Sequence, residues 1–300
     1  MNTLEQTNTD FRQRFVFDEL DVRGCIVQLT QTCEAIQATH HYPENLAKVL
    51  NQFALAAALL RDSIKIDGSL TIQLRTQGAI KLIMADCMSD RRIRAIAEYE
   101  QEELAPNDAI LLDQLGNSAV LAITISPDDG ERYQSIVPIE NATLAQCLAD
   151  YFDRSEQLPS SFAFYASKDK AFGLSLHALP AQKVTHKTDS DAHFERLNML
   201  LKTLTEEEAL SLSSTDVLTR LFHEESCRLF DAHDVEFGCV CSVSKSLDAI
   251  KSLGQEEVTS LIAEQQEQGN ANLVVDCHFC FQRYEFEFEQ LEQLFQNKAE

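Results

Sequence analysis

Proline and glycine are scarce, at 6 and 9 among 300 residues, so no extended low-complexity linker is expected. Basic residues are also few. Lys and Arg number 25 against 48 Asp and Glu, a net charge of -23. Residues 1–180 carry 25 acids and 15 bases, and residues 181–300 carry 23 and 10, so the tail is the more acidic part. Such a chain is repelled by nucleic acid phosphates and by anionic membrane surfaces. The N-terminal MNTLEQTNTDFRQRF has no apolar core of the kind a secretory signal needs. No stretch approaches the roughly 18 apolar residues of a membrane span. The longest, Phe53 to Leu60, suits a buried helix. Together these point to the cytosol, where thiols stay reduced. Nine cysteines then need a reason other than structural disulfides.

The length suggests two or three units. Residues 11–180 read as a mixed α/β domain. Val16–Val27 is strand-like, with a turn expected at Arg23–Gly24. Thr30 to His40 and Leu46 to Leu60 have helical spacing, the second as a core helix. Ile64 to Leu74 reads as a hairpin around Asp67–Gly68. Ala79–Asp86, Ile93–Tyr99, Ala119–Ser126 and Tyr133–Ile139 are strand candidates. Thr143 to Ser155 is a helix capped near Thr143, and Phe162–Tyr165 and Leu174–Leu179 close the domain before Pro180. Residues 181–237 differ. After the polar Gln182–Asp191 come Phe194–Thr203, Glu206–Leu212 and Val217–His223, helical patterns too short to be stable alone. This stretch reads as a helical linker that must dock on something. Glu206, Glu207 and Glu208 suit a solvated first turn. Residues 238–300 form a small third unit, and units of that size need a staple.

The cysteines supply one. Cys239 and Cys241 form a CxC pair, Cys277 and Cys280 a CxxC pair, and 35 residues separate them. Two close pairs joined by a helical insert make a natural tetrahedral S₄ site for zinc, whose sulfur ligands lie about 2.3 Å away. The alternative, four packed cysteines without metal, leaves so small a unit unexplained. Zinc-bound thiolates remain nucleophilic and are what oxidants attack. Cys239–Cys241 and Cys277–Cys280 are each near enough in sequence to close into a disulfide. Closure would expel the metal, worth roughly 10–16 kcal/mol in small peptide sites, and the third unit should then unfold. Cys25, Cys33, Cys87, Cys147 and Cys227 read as inert thiols, four of them in apolar surroundings. His278, between two ligands, reads as a solvated turn residue.

These residues resemble the heat-shock protein 33 family of redox-regulated holdase chaperones, over nearly the whole chain. Besides CxC…CxxC, the similar segments are Asp21-Val22-Arg23-Gly24, Lys65-Ile66-Asp67-Gly68, Gly130-Glu131-Arg132-Tyr133-Gln134, Tyr151 to Pro159, and Leu221-Phe222-His223-Glu224-Glu225. In the third unit they are Leu247 to Ile250 and Glu256 to Glu264. The resemblance implies an α+β fold: an α/β core domain over 1–180, a metastable helical linker over 181–237 and a redox-switch zinc domain over 238–300. It implies one Zn²⁺ per chain on Cys239, Cys241, Cys277 and Cys280 in a reduced, inactive form. Oxidation would release zinc, unfold linker and zinc domain, expose a surface for unfolding client proteins and favour a homodimer. No enzymatic activity, nucleic acid or membrane is implied, and the location would be cytoplasmic. Three departures stand out. Gln265 to Asn272 lengthens the gap between the pairs, Phe281 stands where a glycine follows the CxxC, and Phe172–Gly173 replaces a Gly-Gly.

Two other readings are weaker. A thiol-disulfide oxidoreductase would use Cys277–Cys280, but that pair does not open a helix after a strand. A zinc-ribbon nucleic-acid binder would need a basic surface, and the third unit has only Lys245, Lys251, Arg283 and Lys298. No glycine-rich phosphate loop, HExxH or nucleophile–base pair marks an enzyme.

Overall fold

The computed structural model describes residues 9–296 except 63, 65, 66, 106, 107, 117 and 181–186. Two compact units divide after Gly238. In the first, β1 (Phe11–Phe17), β2 (Val22–Leu29), α1 (Gln31–Thr39) and α2 (Glu44–Arg61) lead into β3 (Gly68–Arg75), β4 (Ile80–Met88), β5 (Arg92–Tyr99), β6 (Val120–Pro127) and β7 (Tyr133–Val137). Next come α3 (Leu144–Ser155), β8 (Ser160–Ala166), β9 (Ala171–Ala178), α4 (Lys187–Leu201), α5 (Glu206–Ser211), α6 (Ser214–Phe222), β10 (Cys227–Asp234) and β11 (Glu236–Phe237). The strands make two sheets, ordered β10-β1-β2-β9-β8 and β11-β5-β4-β3-β6-β7. The class is α+β, as expected. No described helix is long and apolar enough to cross a membrane.

From Phe53 to Leu60 helix α2 is apolar on every side because both sheets need it. Leu46, Leu50, Phe53, Leu55 and Leu59 are buried against residues of the two inner sheet faces, among them Val27, Ile72, Ile83 and Phe164. Its approach to β9 is close. A side chain at Gly173 would meet Leu59 Cδ1 at 3.1 Å and Leu55 Cβ at 3.3 Å. Glycine is therefore kept at 173, while the neighbouring Phe172 packs into the second core cluster and can be large.

That second cluster lies under the helices of residues 187–222. Phe15, Phe17, Val22, Ile26, Phe172, Leu174 and Leu176 of the first sheet bury Phe194, Leu197, Leu201, Val217, Leu221 and Phe222. Polar contacts reinforce the docking. Ser161 Oγ donates to Asn198 Oδ1 at 2.7 Å, Tyr165 donates to the Leu204 carbonyl, and Lys170 donates to the Leu210 carbonyl. Thr205 and Glu208 form a reciprocal capping box at the start of α5, and Arg220 of α6 pairs with Glu208.

Some expectations change. Gly24 is in β2, not in a turn: the Phe15 ring lies across it, and a Cβ there would come within 2.1 Å of Phe15 Cζ. The turn falls at residues 18–21. Asp67–Gly68 opens β3, at φ +135 for Gly68, but β3 pairs with β4 and β6, not with a strand before Asp67. Lys65 and Ile66 of that motif, and residues 182–186, lie outside the described residues. Strands β10 and β11 were not anticipated. β10 returns to pair antiparallel with β1, Phe11 opposite Asp234, and β11 adds in parallel to β5.

The second unit contains α7 (Val243–Leu253), α8 (Gln255–Glu267), the hairpin β12 (Asn272–Asp276) and β13 (Arg283–Glu287), and α9 (Phe288–Gln296). Among the described residues its buried apolar side chains are few: Ile250, Val258, Ile262, Leu273, Phe286 and Leu291. A core that small does not hold a unit of this length without further support.

Candidate metal centre

The four cysteines singled out by spacing meet in this second unit. Each Sγ of Cys239, Cys241, Cys277 and Cys280 lies within 4.8 Å of the other three. Cys239 and Cys277 are 3.6 Å apart, and Cys241 and Cys280 are 3.5 Å apart. A tetrahedron with zinc–sulfur legs of about 2.3 Å has edges of about 3.8 Å, so these sulfurs fit such an ion. Among the described residues this is the cluster able to hold a metal. His278 is exposed beside it and is not one of its members.

Local structure explains the convergence. Cys241 directly precedes Ser242, whose side chain caps α7 by accepting from Lys245 N at 3.2 Å. Cys277 and Cys280 occupy the turn between β12 and β13. There Cys277 N donates to Gln282 O at 2.9 Å, and Phe281 N donates to Cys277 O at 2.8 Å. Where the strands enter this turn Arg283 grips Asp276 through two nitrogens, at 2.9 and 3.1 Å. That pairing lowers the Asp276 carboxyl below its ordinary range. Phe281 takes the left-handed conformation, φ +55, which is where a glycine is at ease. The residues from Gln265 onward lengthen the end of α8 and its exit turn, in which Gly269 has φ +81, and leave the sulfur cluster complete.

Burial raises the thiol of Cys277 and takes that of Cys280 to about 12. Backbone N–H groups of Phe279 and Cys280 oppose the rise at Cys277, and that of Gln282 opposes it at Cys280. Four thiolates packed this closely are not sustained unless a cation neutralises them. One contact was not foreseen: the hydroxyl of Tyr284 donates to Cys241 Sγ at 3.1 Å. Its only trace in the sequence is its place four residues after Cys280 on a strand.

The remaining cysteines are elsewhere. Cys25, Cys33, Cys87 and Cys147 are buried in the first unit. Burial pushes the thiols of Cys25 and Cys33 far up, that of Cys87 to about 12, and that of Cys147 upward. Cys227, half-buried on β10, is raised to about 11, again by burial. Such thiols are poor nucleophiles. A hydroxyl–imidazole pair, Ser160 and His177, is also buried. Ser160 Oγ donates to Leu158 O and lies 2.8 Å from His177 Nδ1.

Comparison with known proteins settles the family. The family described as Hsp33 protein matches residues 10–287. The chain belongs to the Hsp33 family. The 33 kDa chaperonin of Pseudomonas fluorescens is 42% identical to this Hsp33 protein over 288 residues, covering 96% of the chain and 94% of that relative. That of Pseudomonas aeruginosa is 40% identical over 289 residues, covering 96% and 95%. The crystal structure of the 33 kDa chaperonin, a heat shock protein 33 homolog, from Thermotoga maritima matches with a TM-score of 0.77 at 23% identity. It covers 96% of this chain and 99% of that one, and supports the Hsp33 fold. Membership supports a chaperone role, with the C-terminal cysteines able to bind a metal.

Proposed function

We propose that this chain is a redox-regulated holdase of the reducing cytoplasm. In this reading Cys239, Cys241, Cys277 and Cys280 hold one Zn²⁺ while reduced, and their oxidation switches client binding on. The observation that carries it is the convergence of four sulfurs to within 4.8 Å in a unit whose own apolar core is too small to suffice. When bound, zinc would neutralise the thiolates and staple the unit.

The chain's own residues do the rest. An oxidant such as peroxide takes two electrons from a thiolate pair, forming one S–S bond and leaving two waters once two protons are taken up. Cys239–Cys241 and Cys277–Cys280 are the pairs we assign. Either pair removes two ligands, so the unit loses its staple. The helices α4, α5 and α6 within the 181–237 linker are too short to be stable undocked, and their melting would bare the apolar sheet face of Phe15, Phe17, Ile26 and Leu174. That face is suited to unfolding clients and to a second oxidised copy. No chemical conversion of the client is required, so the protein acts by binding.

The test is peroxide treatment with mild heat of the purified reduced protein. About one zinc per chain should be released, and the treated protein should suppress aggregation of an unfolding client. Cys241→Ser should lower metal content and change activation, and wild-type behaviour on both counts would sink the assignment. Insulin reduction should show no turnover. The CHFC turn joins two strands of a hairpin and does not start a helix, an arrangement unlike that of thiol oxidoreductases.

A further inference from the structure

We propose that Tyr284 is a positioning residue for Cys241: its hydroxyl seats that sulfur in the cluster and blunts its attack on electrophiles for as long as the β12–β13 hairpin is folded. The inference rests on the zinc reading above and adds to it a residue outside the ligand set that acts on Cys241.

Cys241 differs from Cys277 and Cys280 in where its hydrogen-bond donor comes from. Cys277 receives N–H groups of Phe279 and Cys280, and Cys280 receives that of Gln282. These donors lie within three residues of their acceptors and belong to the same turn. The donor to Cys241 is 43 residues away in sequence, at 3.1 Å in space. Its position is set by tertiary structure. Tyr284 is opposite Val275 in the hairpin, and its ring packs on the small core of Leu273 and Phe286. The hydroxyl therefore stays on Cys241 only while the strands keep their register. A hydrogen bond to a thiolate withdraws electron density from the sulfur, which makes it less nucleophilic. Such outer contacts also orient ligands, and losing one typically costs 10–100-fold in metal affinity or activity. When the hairpin loosens, the local donors remain near Cys277 and Cys280, but Cys241 loses its phenol. Loosening by heat thus becomes reactivity at Cys241.

The experiment uses full-length, reduced, zinc-loaded protein. N-ethylmaleimide is the probe: the sulfur forms a bond to the alkene carbon, and the displaced π pair takes a proton from water. Labelling of each cysteine is followed by mass spectrometry alongside zinc release to a colorimetric chelator. Tyr284→Phe keeps the ring and removes only the donor. It should retain one zinc per chain and label Cys241 faster, on the order of tenfold, with little change at Cys277. On heating, the wild-type rate at Cys241 should converge on that of the variant. Equal rates at Cys241, or equal acceleration at all four cysteines, overturn the proposal. A second variant, Arg283→Ala, loosens the hairpin at its Asp276 pair. It should accelerate Cys241 in the wild-type background and add nothing in the Tyr284→Phe background; an equal gain in both overturns the proposal. If Tyr284→Phe does not hold zinc, Arg283→Ala alone decides by selective or uniform acceleration. Wild-type protein without zinc would sink the metal reading as well, whereas wild-type protein with zinc and unchanged Cys241 rates sinks this proposal only.

Discussion

Phe222, the last residue of α6, meets the ring of Phe17 on β1 edge to face, with centroids 5.3 Å apart and planes at 88°. Both side chains are fully buried. This pair anchors the end of the linker helices to the sheet beneath them. Truncating a buried phenylalanine costs about 3–5 kcal/mol, more than three short helices can absorb. Phe222→Ala should therefore remove amide-exchange protection from residues 194–222 while α2 stays protected. It should also lower the temperature at which the oxidised protein begins to suppress aggregation. Unchanged protection over 194–222 would count against the docking argument.

The turn that carries Cys277 and Cys280 contains a residue under strain. A side chain in the left-handed region costs roughly 1–2 kcal/mol, and Phe281 is exposed there, so little packing compensates. Phe281→Gly should relieve the strain, less about 0.4–1 kcal/mol for the greater freedom of glycine when unfolded. The expected result is a net gain of about 1 kcal/mol in the second unit, read as slower zinc loss to a competing chelator. Faster loss would show that the phenyl ring makes a contribution that its exposure hides.

His177 is buried between Phe152 and Phe162, and burial depresses its pKa to about 4. The unfolded chain, near 6.5, binds the proton more readily. Stability of the first unit is therefore complete above about pH 6.5 and falls as the pH drops toward 4. The fall is at most roughly 3 kcal/mol, at 1.36 kcal/mol per unit. His177→Phe keeps an aromatic ring and leaves Ser160 its bond to Leu158 O. Urea midpoints measured from pH 7 to 4.5 should fall less steeply in that variant than in the wild type. Parallel curves would rule this histidine out as a source of acid lability.

The sulfur contacts cross between the two motifs, Cys239 with Cys277 and Cys241 with Cys280. These partners are 38 and 39 residues apart in the chain. Once the unit unfolds, closing loops of that length is entropically costly compared with closing CxC or CxxC. Non-reducing peptide mapping after peroxide at elevated temperature should therefore find Cys239–Cys241 and Cys277–Cys280. Crossed pairs as the main product would mean that oxidation outruns unfolding.

Much of this was legible in the sequence because it is local or compositional. The helical spacing of apolar residues over Leu46 to Leu60 marked the helix between the sheets. The CxC and CxxC spacings marked the sulfur cluster, and Thr143 marked the start of α3, where it accepts from Gln146 N. The rest depends on partners far away in the chain. Cys227–Asp234 is mostly exposed, and nothing in its periodicity announces a strand until β1 is beside it. Asp10 looks like any surface acid, yet its buried carboxylate receives the N–H groups of Thr30, Gln31 and Thr32 at 2.6, 2.9 and 2.6 Å at the start of α1. Gly24 looked like a turn residue because the demand on it comes from Phe15, across the sheet. Tyr284 escaped notice for the same reason.

The return of β10 to β1 has a consequence for recovery after stress. The helices α4, α5 and α6 run between β9 and β10, two strands of the same sheet. With β1 and β2 between them, those strands are about 14 Å apart at the usual interstrand spacing. If only the helices melt, the segment is a tethered flap with both ends still fixed. Its closure entropy has already been spent by the sheet, so under the proposed switch it would settle back onto its bed quickly once the redox state is restored.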